Sequence, residues 1–301
     1  MRIQPFYEIC GKIKFKPLSR LIYKINKLII NVFYARVVHD KYGVNPDSDI
    51  VVSLTSFPGR ISTVWITVQT LLHQTLKPQR IILWLAEDQF PNRKSDLPQS
   101  LLRLEQFGLE IRFCDNLFPH KKYYYSMKEY PAFKVITVDD DIFYPENLIE
   151  ELQKLSKEFP DCICCTWAHE ITTIQRSIQP YKKWKQCVME GGHPSLKLIP
   201  IGCGGVLYPP YSVANTIFEK EDIKALCLRT DDLWLKSMAV IAGTKSVRWR
   251  KKTPIFFSNM NAQDSGLYHQ NLGNDRNDES LSRIIGKYPE VEQAIVEDCK
   301  Q

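Results

Sequence analysis

A long uninterrupted apolar run is missing from the 301-residue sequence. A membrane-spanning helix needs about 20 predominantly apolar residues, and the best candidate, within residues 18–33, is broken by Lys24, Asn26 and Lys27. The basic N-terminus is also not followed by the apolar core of a secretory signal. These absences predict a cytoplasmic chain.

Cysteine patterns typical of zinc ribbons or disulfide frameworks are also missing. The nine cysteines show no regular spacing, and the cluster Cys162–Cys165 lies in an apolar run. Free cysteine in such a run behaves as a small buried hydrophobe. We therefore expect reduced structural thiols, as is typical of cytosolic proteins.

Basic charge is scarce outside the N-terminus. Residues 1–45 contain nine Lys or Arg and two acidic residues, a net charge of +7, whereas the whole chain carries +6. The remainder is therefore nearly neutral, and this distribution argues against a nucleic-acid partner, which would require a basic docking face.

An amphipathic helix is predicted inside this basic segment. Residues 18–33 place apolar side chains at i, i+3, i+4 and i+7, with Arg20, Lys24 and Lys27 on the other side. Such a helix either packs against its own domain or lies on an anionic membrane surface. The second alternative predicts peripheral attachment to the inner face of the membrane.

Strands and helices alternate after residue 45. Continuous apolar strands that alternate with helices predict an α/β fold with a mostly parallel central sheet flanked by helices. Ligands of such sheets bind at the carboxyl ends of the strands. The predicted organisation is a basic N-terminal segment (1–45), a catalytic domain (46–278) and a C-terminal helical segment (279–301). The sequence predicts strands at 49–54, 80–85, 109–113, 134–138, 162–167 and 198–201, and helices at 62–73, 97–107, 146–159, 211–228 and 231–241.

Three adjacent acids follow the fourth predicted strand. Asp139, Asp140 and Asp141 would repel one another without a counter-charge, and Mn²⁺ or Mg²⁺ is commonly held by one or two carboxylates plus substrate phosphates. In an extended turn, Asp139 and Asp141 point the same way and Asp140 points the opposite way. Asp139 and Asp141 are therefore the candidate metal ligands. The alternative is an acidic surface turn that caps the next helix.

With this motif the chain resembles the GT-A glycosyltransferases, most of all the family 2 type of bacterial surface-polysaccharide synthesis, over roughly residues 49–275. The resemblance implies a Rossmann-like GT-A fold and an enzyme that transfers a sugar, with inversion, from a nucleotide-sugar donor to a saccharide or lipid-linked saccharide acceptor. A UDP-sugar is the first candidate donor. Asp139 and Asp141 match the family's Asp-x-Asp motif, which holds the metal on the donor diphosphate, and Asp139 and Asp140 are expected to contact the donor.

The resemblance implies further donor-binding residues at other strand ends. Residues 53–60 correspond to the loop that holds the nucleotide base, although they lack the usual Pro-x-Tyr-Asn, and Thr55 and Arg60 are carried over from it. Asp88 stands where the family has an acid that contacts the base, and Lys122 is placed to neutralise the donor phosphates. The alternatives are an ordinary strand-to-helix loop at 53–60 and a solvated helix face at Lys122.

A second acidic motif resembles the family's Thr-Glu-Asp. Thr230-Asp231-Asp232 opens a predicted helix, and the resemblance makes Asp232 the general base for the acceptor hydroxyl and Asp231 its supporting acid. A carboxylate in this role accepts a proton during attack on the anomeric carbon. The alternative is that the motif only caps the helix.

Two weaker signals complete the predicted site. Gly204 and Gly205 are expected near the donor sugar and the acceptor, with a plain turn as the alternative. His269 is expected as a third metal ligand, because imidazole also binds Mn²⁺; the alternatives are a surface-loop histidine or a ligand at His193 instead.

Two other functions fit part of the pattern. A sugar nucleotidyltransferase of similar fold usually has a Gly-rich phosphate loop, but residues 53–60 contain only Gly59. A non-catalytic carbohydrate-binding module would not need Asp231 and Asp232 at a helix start.

Overall fold

The computed structural model describes residues 2–13, 16–36, 43–250, 256–265 and 276–298. The strands are β1 (Ile50–Thr55), β2 (Arg80–Ala86), β3 (Leu109–Cys114), β4 (Lys134–Thr137), β5 (Ile142–Phe143), β6 (Ile163–Cys165), β7 (Ala168–Glu170), β8 (Thr173–Ile174), β9 (Ser177–Ile178), β10 (Leu198–Pro200), β11 (Val206–Tyr208), β12 (Ser246–Arg248) and β13 (Phe257–Ser258).

Seven strands form a mostly parallel central sheet in the order β12-β6-β11-β4-β1-β2-β3. β1 pairs in parallel with β2 and β4, β2 with β3, and β6 with β12. β11 runs antiparallel between β4 and β6. The predicted α/β fold with a mostly parallel sheet is therefore confirmed, and β4 and β1 lie side by side near its centre.

Helices flank this sheet. They are α1 (Gln4–Lys12), α2 (Lys16–Phe33), α3 (Val64–Leu72), α4 (Gln99–Leu102), α5 (Lys121–Glu129), α6 (Leu148–Glu158), α7 (Lys220–Leu226), α8 (Asp231–Ile241), α9 (Arg276–Lys287) and α10 (Glu290–Glu297). Two predicted helices are shorter in the structure. Residues 97–107 form α4 and a 3-10 turn, and residues 211–228 form a 3-10 turn and α7.

The main hydrophobic core includes side chains from the N-terminal helices. Ile3, Tyr7 and Ile30 are buried together with strand residues such as Val52. The backbone N–H groups of Ile3 and Gln4 both donate to the carboxylate of Glu146. The N-terminal segment therefore packs on the α/β domain across the predicted boundary near residue 45.

The second core lies around α8. Trp234 and Met238 from α8 are buried with Ile284 from α9 and Ile295 from α10. Cys164 and Cys165 are buried free thiols in β6, as predicted. Across the described residues, no helix combines the length and apolarity needed to cross a membrane.

Candidate active site

The loop after β1 holds the acidic turn that follows β4. Ser56 Oγ donates to Asp140 Oδ2 (2.6 Å), and Arg60 Nη1 donates to Asp140 Oδ1 (2.6 Å). The same guanidinium reaches Asp141, with Arg60 Nη2 3.2 Å from Oδ2. The Thr67 hydroxyl of α3 donates to the carbonyl oxygen of Asp140 (2.9 Å). Two neighbouring strand ends are thus tied together through charge-assisted hydrogen bonds.

The orientation of the three acids differs from the expected alternation. Asp140 and Asp141 share Arg60, whereas Asp139 pairs with Lys122. β4 ends at Thr137, so the acids lie beyond the extended backbone from which the alternation was predicted. All three acids thus form ion pairs. None of these ion pairs caps the next helix, which was the alternative role of the turn.

Lys122 connects the two acidic motifs. Its Nζ lies 2.9 Å from Asp139 Oδ1 and 2.8 Å from Asp231 Oδ2. The side chain comes from α5 and is buried, so the alternative of a solvated helix face does not hold for this residue. Because each motif supplies one carboxylate to the same ammonium group, residues 139 and 231 meet although 92 positions separate them.

Asp232 has a different environment from its neighbour. The Gly202 backbone N–H donates to Asp232 Oδ2 (3.3 Å), and burial together with the Asp231 charge raises the pKa of Asp232 to about 7. Burial would raise the pKa of Asp231 as well, but the ammonium of Lys122 lowers it below its ordinary value. The two acids are therefore split into one ionised partner of Lys122 and one carboxylate suited to exchange a proton near neutral pH.

The start of α8 has no side-chain cap from Thr230 and carries two acids in its first turn. Thr230 occupies the N-cap position but makes no side-chain capping hydrogen bond. Its hydroxyl donates instead to the carbonyl of Cys227 (3.3 Å). Asp231 and Asp232 lie in the first turn, where negative charge also favours the helix dipole.

The donor set of the cluster fits a divalent cation. Asp139, Asp140, Asp141 and Asp231 pair with the two cationic side chains of Arg60 and Lys122, and Asp232 lies beside them at Gly202. Burial and the neighbouring Asp140 charge raise the pKa of Asp141 to about 7. The described residues contain no group of three or more His, Cys, Asp or Glu ligands arranged around one point. Mg²⁺ and Mn²⁺ are commonly held by only one or two carboxylates, with phosphate oxygens of the substrate completing the coordination.

Gly202 allows the close approach of these side chains. A β-carbon on Gly202 would lie 2.8 Å from Lys122 Nζ and 3.0 Å from Asp232 Oδ1. Gly204 and Gly205 face elsewhere, because their β-carbons would meet Thr166 and Leu148 respectively. Of these three glycines, the structure thus brings Gly202 against the acids and turns Gly204 and Gly205 towards packed side chains.

Replacing Gly202 with Ala should impair both stability and turnover. Lys122 is buried and paired on two sides, so its ammonium cannot move away from the new methyl group without losing an ion pair. We expect a loss of about 1–3 kcal/mol in the free energy of unfolding, as for other overpacked sites. Urea denaturation of Gly202→Ala measures it. Gly286→Ala is the control, since a β-carbon there meets nothing within 4 Å; equal stability of the two variants would contradict the prediction.

Other predicted residues lie at the edge of the cluster or beyond it. The Thr55 hydroxyl donates to the Trp84 carbonyl (2.8 Å), which is a strand-to-strand contact. Asp88 is exposed and accepts from Asn116 Nδ2 (3.1 Å) at the ends of β2 and β3. His269 lies outside the described residues.

Several residues at the site were not predicted. Tyr144 OH accepts from the Asp139 N–H (2.9 Å) and donates to the Cys203 carbonyl (3.1 Å), which joins the acidic turn to the glycine segment. His120 is buried near Asp231, with its ring nitrogens 2.8 Å from Tyr123 OH and 2.9 Å from the Cys227 carbonyl. Tyr144 follows the acids by three residues, but neither residue has a sequence pattern that reveals its partner.

Comparisons with known proteins found structural likeness only. No protein-family model and no curated protein sequence matches the chain. Among solved structures it is similar to a fragment of S. aureus TarS (10% identity, TM-score 0.42), covering 69% of this chain and 59% of that one, less than two thirds of its length. It is also similar to the mannosyltransferase of Pyrobaculum calidifontis in complex with GDP-Man and Mn²⁺ (8% identity, TM-score 0.47), covering 98% of this chain and 81% of that one. A third likeness is to the inositol-1-phosphate CTP transferase of T. maritima (13% identity, TM-score 0.44), covering 81% and 98%.

Proposed function

We propose that the chain is a metal-dependent glycosyltransferase that moves a sugar from a nucleotide-sugar donor to a saccharide or lipid-linked saccharide acceptor. The observation that carries this proposal is the pairing of Lys122 with both Asp139 and Asp231. It brings a candidate diphosphate-binding turn and a candidate general base to one point at the carboxyl ends of central strands, where ligands of such sheets bind.

The Asp139–Asp141 turn is the proposed diphosphate end of the site. Asp139 and Asp141 would hold Mn²⁺ or Mg²⁺, which when bound supplies positive charge to the donor diphosphate. Arg60 fixes Asp140 and Asp141 from the β1 loop, and its guanidinium suits phosphate as well as carboxylate. Lys122 holds Asp139 in place through its buried ammonium.

Asp232 is the proposed base in a single displacement with inversion. The acceptor oxygen forms a bond to the anomeric carbon, the bond from that carbon to the diphosphate oxygen breaks, and the acceptor proton passes to the Asp232 carboxylate. A pKa raised to about 7 by burial suits this role, because proton transfer is most efficient when the pKa of the base lies near the working pH. Asp231 holds Lys122 beside it.

A donor screen tests the proposed function. The protein is incubated with Mn²⁺ and a panel of UDP- and GDP-sugars, and nucleoside diphosphate release is measured with and without a chelator. We expect release from at least one donor, a UDP-sugar first, and loss of that release when the metal is removed. Pyrophosphate release from UTP or CTP with a sugar phosphate would instead identify a nucleotidyltransferase. Binding of sugars without turnover would identify a binding module.

The Asp141→Asn variant tests the metal site within this function. Removing one carboxylate charge should raise the Mn²⁺ concentration for half-maximal turnover by at least about tenfold, the lower end of what even outer-shell changes cost at metal sites. Asp161→Asn is the control, because Asp161 is an exposed acid after α6. Identical Mn²⁺ dependence in the two variants would contradict a ligand role for Asp141.

A further inference from the structure

One face of α2 packs on the α/β domain through hydrogen bonds and a buried isoleucine. Tyr23 OH donates to the Phe256 carbonyl (3.1 Å), Lys27 Nζ donates to Ser258 Oγ (2.8 Å), and Asn31 Nδ2 donates to the Ser258 carbonyl (3.2 Å). Ile30 on the same side is fully buried. These contacts set which way the rest of the helix faces.

The opposite face of α2 is apolar and open to solvent. Large aliphatic side chains along it are about half exposed: Leu18 (45%), Leu21 (55%), Ile25 (47%) and Leu28 (55%). Their spacing of three and four residues places them in one stripe, here called the outer stripe. An amphipathic helix that packs against its own domain buries its apolar face, whereas α2 packs through the other side. A contiguous exposed apolar patch of this kind marks an interaction site.

The charges beside the outer stripe select its partner. Arg20 and Lys24 are exposed, and residues 16–33 contain no Asp or Glu. An apolar stripe on a helix whose charged residues are all basic complements an anionic lipid surface, where aliphatic side chains enter the acyl boundary and Lys or Arg contact the headgroups. We propose that the outer stripe of α2 docks the protein on the surface of an anionic phospholipid bilayer.

A second copy of the chain fits the stripe less well. The spacing also matches heptad positions, but α2 has 18 residues, fewer than the three to four heptads typical of a coiled coil. Pairing two such helices would bring together segments of the same charge sign without any acidic partner. The charge pattern therefore favours lipid over self-association.

The docked helix is connected to the candidate active site. Ser258, which contacts both Lys27 and Asn31 of α2, is followed by Asn259, whose backbone N–H donates to the Asp141 carbonyl (2.7 Å). Membrane binding would therefore hold the acidic turn at a fixed position relative to the bilayer. The docking proposal rests on α2 alone and stands whether or not the chain transfers a sugar.

Vesicle co-sedimentation of the full chain tests the proposal. The vesicles contain phosphatidylcholine alone or phosphatidylcholine with phosphatidylglycerol, at low and at high salt. We expect binding to the anionic vesicles at low salt, weakened by salt. Leu21→Gln with Leu28→Gln should lower the partition coefficient by about tenfold or more, because two large side chains lose their apolar contribution. Both positions are exposed, so the fold should be retained, which circular dichroism verifies.

The control variant changes exposed apolar residues elsewhere. Ile174 (60% exposed) and Met189 (50% exposed) lie outside α2, and Ile174→Gln with Met189→Gln should bind vesicles as the unaltered chain does. Three outcomes would overturn the proposal: no binding to anionic vesicles at low salt, equal loss in both double variants, or a dimer in sedimentation velocity that only the α2 variant dissociates and that does not bind vesicles.

Discussion

Replacing Asp232 with Asn is expected to slow sugar transfer by about 10²–10⁴-fold, the usual contribution of general acid–base catalysis. Asn keeps the size of the side chain and can still accept the Gly202 N–H hydrogen bond, but it cannot take the acceptor proton. Donor affinity should change little, because Asp139, Asp141 and Arg60 are untouched. Nucleotide release with acceptor, together with calorimetric donor affinity, measures the two effects separately.

Asp231→Asn provides the matched comparison for Asp232→Asn. Asp231 pairs with Lys122 at 2.8 Å, so its loss should lower stability and disturb Asp139 as well. Asp232→Asn should instead reduce turnover with little change in the unfolding midpoint. A greater loss of turnover in Asp231→Asn at equal stability would identify Asp231 as the base. Retained transfer in both variants would contradict a catalytic role for this motif, and only the proposed metal-binding turn would then remain as part of the site.

Replacing Lys122 with Met should cost about 3–5 kcal/mol of unfolding free energy, the range for breaking one side of a buried ion pair. The attraction of Asp139 and Asp231 outweighs the effect of burial and raises the pKa of Lys122 well above its ordinary value, so the folded state depends on the charged form. Met fills similar space but leaves both carboxylates without their ammonium partner. Urea denaturation followed by circular dichroism measures the change.

Lys121 is a control beside it on the same helix. Lys121 is also buried, but its ammonium contacts the Asn116 side chain (3.3 Å) rather than a paired carboxylate, and burial lowers its pKa to about 8. Lys121→Met should therefore cost no more than about 1.5 kcal/mol, as for a single lost hydrogen bond. Equal destabilisation by the two substitutions would mean that the ion pairs of Lys122 do not stabilise the fold.

The sequence predicts the parts of the fold that have a strong local pattern. β1 and β2 are largely apolar runs of six and seven residues, and α6 and α8 combine helical periodicity with acids in the first turn. Continuous burial on both faces of a parallel strand produces such a run directly. The alternation of these elements is sufficient to predict the α/β class.

Other elements depend on tertiary contacts that no local pattern contains. β11 has three residues and enters the sheet between β4 and β6 in the opposite direction, so its role is set by strands far away in sequence. α5 contains two lysines and three tyrosines in its first five residues, and its polar composition gives no indication that Lys122 is buried. Only the meeting of Asp139 and Asp231 makes that burial favourable.

The candidate site shows the same division. The acidic motifs are recognisable because carboxylates cluster at a strand end and at a helix start. Among the glycines, however, Gly202, Gly204 and Gly205 look equivalent in sequence, and only Gly202 faces the acids. The glycine that lies against the acids is determined by the path of the chain into β11, which starts just after these glycines.

The helices α1 and α2 can pack only after much of the rest of the chain has been synthesised. Tyr7 OH accepts from the Phe257 N–H across 250 residues of sequence (2.7 Å). The backbone N–H of Gln4 likewise donates to the carboxylate of Glu146, which is synthesised much later. At about 5–20 residues per second, roughly 12–50 s pass between the synthesis of Tyr7 and that of its partner. The helices α1 and α2 are thus translated well before the residues they pack against, and through that interval both faces of α2 are exposed to chaperones and lipid.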